Sequence, residues 1–140
     1  MTTSCNLSET CLIVDVDGTL TQDDPNLSYS DRLPRLDVIA RVNELHRRGV
    51  QIVIYSARNM RTHQGNLGLI NLHTLPVLLS WLERHGVCYH EIHMGKPWCG
   101  TEGFYVRSKG IRPECFLELP IEEIEEMLYK ISDQQKGVIR

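Results

Sequence analysis

Cys11-Leu12-Ile13-Val14-Asp15-Val16-Asp17-Gly18-Thr19-Leu20 is the stretch that decides the fold. Its first four residues are a continuous apolar run that stops at an acidic, glycine-containing turn, the pattern of a strand buried on both faces of a parallel sheet. Asp15 and Asp17 then stand at the carboxyl end of that strand. Upstream, residues 1–10 are polar and aperiodic and read as a flexible N-terminal extension.

Downstream, residues 21–32 are rich in Asp, Asn, Ser and Pro and read as a loop able to fold over the strand ends. Pro34 suits a first helical turn, Leu36, Ile39, Ala40, Val42 and Leu45 mark an inward stripe, and Gly49 supplies the stop. Val50 to Tyr55 is a second β-branched strand ending at Ser56-Ala57-Arg58, so the unit is a right-handed βαβ crossover. Thr74 is placed to cap a helix over Leu75, Leu78, Leu79 and Leu82 that stops at Gly86. Short strands are expected at Glu91 to Met94 and Phe104 to Val106. An amphipathic helix over Ile121 to Ile131 carries Ile124, Met127 and Leu128 inward, with Glu122, Glu123, Glu125 and Glu126 as its solvated face. The arrangement is α/β: a three-layer Rossmann-like fold with a mostly parallel sheet and helices on both faces. One domain over residues 11–132 is expected, followed by a tail at 133–140.

Composition narrows the function. With 15 Lys+Arg against 18 Asp+Glu, the formal charge is -3, which offers no broad basic surface for nucleic acid. The longest apolar run, near Leu75 to Leu82, falls far short of the roughly 20 residues of a membrane span. Five cysteines in no Cys-x-x-Cys pair, after a polar start, read as free thiols of a cytoplasmic protein. His90-x-x-His93 is too short and lonely for a zinc site.

In open parallel sheets, ligands collect at the carboxyl ends of the strands. Asp15, the first residue past its strand, is placed to act as a carboxylate nucleophile, and Asp17 to protonate a leaving oxygen and later activate water. A phosphate beside two acids needs a divalent cation and N–H or cationic donors. Ser56 brings a hydroxyl, with the backbone N–H groups of the turn at Ala57, and Lys96 brings a compact positive charge. Arg58, Asn59 and Arg61 follow directly and are candidates for contacting the substrate.

Asp15-Val16-Asp17-Gly18-Thr19-Leu20-Thr21, Ser56 and Lys96-Pro97 resemble, in order and spacing, the first three motifs of the haloacid dehalogenase (HAD) superfamily. Leu33 to Ile39, Ser56 to Thr62, Asn71 to Pro76 and Gly95-Lys96-Pro97-Trp98-Cys99-Gly100 are similar to its small group linked to bacterial capsular polysaccharide biosynthesis. The resemblance covers about residues 10 to 128. It implies a magnesium-dependent phosphatase with Asp15 as nucleophile, Asp17 as acid/base, Ser56 as phosphate-binding hydroxyl and Lys96 as phosphate-stabilising amine. The chain departs from the family at Arg107-Ser108, where two aspartates complete the magnesium site. A Mg²⁺ ion would then be held by Asp15, Asp17 and the Ser108 hydroxyl, with a backbone carbonyl and waters, and more weakly. Arg107 would either occupy the place of the metal or partly stand in for it.

The expected activity is removal of phosphate from a small phosphorylated metabolite, a sugar phosphate of surface polysaccharide synthesis by resemblance. The alternative is a catalytically impaired relative that binds a phosphorylated ligand or a protein partner. Neither gap between motifs holds a cap domain, so the site is expected to be open unless the 21–32 loop or a second copy in a homo-oligomer covers it.

Overall fold

The computed structural model describes residues 11–96, 104–106 and 109–128; the expected N-terminal extension, the segment Pro97-Trp98-Cys99-Gly100, Arg107-Ser108 and the C-terminal tail lie outside them. Strand β1 (Cys11–Val14) pairs in parallel with β2 (Gln51–Ser56), and β2 in parallel with β3 (Glu91–Met94). On the other side of β1 lie β4 (Phe104–Val106) and β5 (Lys109–Ile111), giving the order β3-β2-β1-β4-β5. The central strand position of β1 explains its apolar run: Leu12 and Val14 are fully buried. In β2, Ile52, Val53 and Ile54 are all buried in succession, as a strand covered on both faces requires.

Helix α1 (Leu36–Arg47) is the crossover between β1 and β2, and it ends with Gly49 at φ +91, a left-handed turn that glycine takes without steric cost. Its buried face is Val38, Ile39, Val42 and Leu45, while Leu36 is 67% exposed. Ala40 is exposed as well. The expected stripe is thus rotated. Arg35 is the N-cap, so Leu36 is the first helical residue, and it lies on the exposed side of the helix.

Two helical turns, Leu67–Leu69 and Ile70–Thr74, lead into α2 (Leu75–Arg84). Helix formation therefore starts before Thr74, which is itself helical and makes no capping hydrogen bond. Its hydroxyl instead accepts from Asn59 Nδ2 at 2.6 Å, tying the loop after β2 to α2. Leu78, Trp81 and Leu82 are the buried residues of α2, and Leu79 is 37% exposed. Helix α3 (Pro113–Glu118) and the helix at 121–128, α4, contribute Phe116, Ile124 and Leu128 to the same core.

Val14 stands opposite Phe104 and Ile13 opposite Tyr105 in an antiparallel register, so the Phe104 end of β4, not its Val106 end, lies level with Asp15. Local geometry favours this: β4 and β5 pair antiparallel, with Val106 opposite Lys109, which a short link allows and a parallel pair does not. The expected metal-side residues Arg107 and Ser108 lie outside the described residues.

Candidate phosphate-binding site at the carboxyl ends of the parallel strands

The chain leaves β1 through a tight turn over Val16–Leu20, with Gly18 at φ +79 and Val16, Thr19 and Leu20 buried. Thr21 N closes the turn on Val16 O at 3.1 Å. The turn holds both acids at the strand mouth. Lys96 arrives from β3: Gly95 takes φ +84, and Lys96 N donates to Ser56 O at 3.1 Å, so the end of β2 positions the lysine backbone. Its Nζ lies 3.5 Å from Asp15 Oδ1, with the side chains 5% and 18% exposed. Burial pushes the Asp15 carboxyl up from its ordinary value, and the Lys96 ammonium opposes that rise.

Ser56 is 1% exposed, and its Oγ accepts from Arg58 N at 3.1 Å. Its hydroxyl proton is left for another acceptor. Asp15, Asp17, Ser56, Ala57 and Lys96 therefore come from the strand mouths that the sequence assigned to them.

Arg58 makes contacts that the sequence did not anticipate. Its side chain is 0% exposed and grips Asp17: Nε lies 3.0 Å from Oδ2 and 3.2 Å from Oδ1, and Nη2 lies 3.0 Å from Oδ1. Arg32 Nη1 adds a fourth bond to Oδ1 at 3.0 Å. The sequence named Arg58 as a candidate substrate contact; in the structure its buried side chain holds Asp17. Arg32 and Tyr29 were not singled out at all. The Tyr29 ring lies 4.3 Å from the Arg58 guanidinium carbon and 4.8 Å from that of Arg32, a shared cation–π contact.

The 21–32 loop does fold over the strand ends, and its anchors are specific. Gln22 N donates to Leu33 O and Arg35 N to Leu20 O, both at 2.8 Å, closing the neck of the loop. Trp81 Nε1 donates to Arg32 O at 2.8 Å and Arg84 Nη1 to Ser30 O at 3.0 Å. Beside the site a cleft of about 320 Å³ is lined by Tyr29, Ala57, Asn59, Met60, Arg61 and Thr62. Asn59 and Arg61 thus remain available to a ligand there.

The described residues that surround the two acids do not fit Mg²⁺. Both oxygens of Asp17 accept from guanidinium groups, and Asp15 faces Lys96. Among the described residues no three His, Cys, Asp or Glu side chains gather where a cation could be held. Arg58 Nη1 and Arg32 Nε are buried and have no hydrogen-bond partner there. Unused donors call for an anion, not a cation. Ser108, the remaining expected ligand, lies outside the described residues.

No family model matches the chain, and no curated protein does. Among solved structures, the crystal structure of an MCSG target from Vibrio cholerae is similar, at 51% identity over 86% of this chain and 98% of that one, with a TM-score of 0.73. The chain belongs to the same family as that protein. The likeness supports the three-layer α/β architecture along nearly the whole length of the Vibrio chain.

Proposed function

We propose that the chain is a HAD-type phosphohydrolase of the cytoplasm that removes phosphate from a small metabolite through an aspartyl-phosphate on Asp15. The carrying observation is the Asp15–Lys96 pair at the strand mouths, 3.5 Å apart, with Ser56 ending the adjacent strand. A nucleophilic carboxylate, a cation for the phosphoryl oxygens and a hydroxyl donor converge there. Asp15 attacks phosphorus, and the bond from phosphorus to the leaving oxygen breaks. Asp17 gives that oxygen its proton, then takes one from the water that opens the acyl-phosphate. Of its two oxygens, Oδ2 accepts one bond against three at Oδ1, so Oδ2 keeps room for this exchange. The leaving group extends into the cleft at Ala57, Asn59 and Arg61. A sugar phosphate of surface polysaccharide synthesis is the substrate class that the family resemblance implies.

Hydrolysis of an aryl phosphate tests this reading. Turnover is expected in the parent chain and a loss of about 10³-fold or more in Asp15→Asn. Turnover that survives Asp15→Asn sinks it.

One observation favours a second reading. Asp17 accepts four guanidinium hydrogen bonds, an arrangement that restrains an acid/base group. A chain that binds phosphorylated ligands with little turnover would show saturable binding of inorganic phosphate and no aryl phosphatase activity.

A further inference from the structure

We infer that Arg58 and Arg32 supply the positive charge that a divalent cation would otherwise bring to this site, so that phosphate binding here does not depend on metal. The inference rests on the reading of the strand mouths as a phosphate site. Three cations, Lys96, Arg58 and Arg32, stand within 3.5 Å of the two carboxylates, and the 77% exposed Asp23 reaches Arg32 only at 3.9 Å. The acids are already neutralised by side chains. A dication would have to displace a guanidinium from Asp17 and enter a positive field, whereas a phosphate dianion would relieve it.

The donors point the same way. A guanidinium carries five N–H groups and accepts none. Arg58 spends two nitrogens on Asp17 and leaves Nη1 buried without a partner among the described residues; Arg32 spends Nη1 and in the same way leaves Nε. A buried donor left without an acceptor keeps the cost of its lost hydration, and more so on a charged group. An anion that reaches them recovers that cost. Tyr29, stacked on both guanidiniums and lining the adjacent cleft, is the side chain that must give way. Arg58 and Arg32 are thus positioning residues for Asp17 and charge donors to the ligand.

Inorganic phosphate titrated calorimetrically onto the full chain, in EDTA and in millimolar Mg²⁺, provides the test. Equal affinity in the two buffers, within about twofold, is expected, as is the absence of saturable heat when Mg²⁺ is titrated alone. Arg32→Met and Arg58→Met are each expected to weaken phosphate by about tenfold or more in EDTA. Arg58→Lys, which keeps a charge and guards against a folding defect, is expected to lose less. In Arg58→Met the freed Asp17 oxygens make Mg²⁺ restore part of the lost affinity, a response that a merely structural arginine would not produce. Phosphate binding that requires Mg²⁺ in the parent chain overturns the inference and leaves the phosphate site standing. Affinity unchanged by both Arg32→Met and Arg58→Met overturns it too. Absence of phosphate binding in both buffers brings down the phosphate site and the inference together.

Discussion

Asp15 is subject to two opposed influences. Burial raises its pKa above the ordinary 3.8, and the Lys96 ammonium lowers it. The sign follows from the chemistry: the nucleophile must be ionised, so activity is lost as pH falls through the raised Asp15 value. Lys96→Met removes the lowering influence. Its kcat/KM profile is expected to show an acid limb displaced to higher pH, together with a loss of about 10²–10³-fold at the plateau from missing charge stabilisation. An unmoved limb would mean that Lys96 does not act on Asp15. At this scale the sequence was legible wherever a residue's task depends on its position along one strand. Asp15, Asp17, Ser56 and Lys96 follow strand ends, and strand ends are marked by apolar runs. The grip of Arg58 on Asp17 was not legible, because it depends on the burial of a side chain that the sequence does not show.

The loop from Gln22 to Arg35 and helix α2 act as one unit, because Trp81 Nε1 holds the carbonyl of the residue whose side chain grips Asp17. Trp81→Phe keeps most of the packing and removes that bond. A stability loss of about 1 kcal/mol is expected, with faster amide hydrogen exchange confined to residues 29–32. Exchange that speeds up uniformly would instead indicate a general packing defect. At the end of β3, Gly95 takes φ +84, and a Cβ there would lie 2.3 Å from Leu67 Cδ2. Leu67 is 50% exposed and can move, so backbone strain dominates the cost of Gly95→Ala, about 1–2 kcal/mol. Denaturant unfolding measures the loss. Activity is expected to fall further than stability does, since Lys96 is the next residue. The sequence marked both the loop and the glycine. The tryptophan anchor was invisible, since residues 32 and 81 meet only when α2 is laid across the loop.

At the scale of the whole molecule, two histidines tune the fold to neutral pH. His46 stacks on His90 with ring centroids 4.5 Å apart, and His90 Nδ1 accepts from Ile52 N at 3.0 Å. Burial lowers the pKa of His46, and His90 adds to it; burial and Arg84 lower that of His85. A folded value below the ordinary 6.5 means that the unfolded chain binds more protons. The stability these groups contribute is complete above 6.5 and is lost as pH falls through their lowered folded values. The urea midpoint is expected to fall between about pH 7 and pH 5, and to fall less in His46→Gln. A midpoint that rises on acidification would contradict this. The sequence by itself determined the β1-α1-β2 crossover, the buried strands and the acids at their mouths, because apolar periodicity and turn residues act over a few neighbours. Only the tertiary structure decided the direction of β4, the rotation of α1 and the guanidinium clamp on Asp17. Each of these is set by which distant surfaces meet, and a charge such as Arg32 acquires its task from the partner brought within 3.0 Å of it.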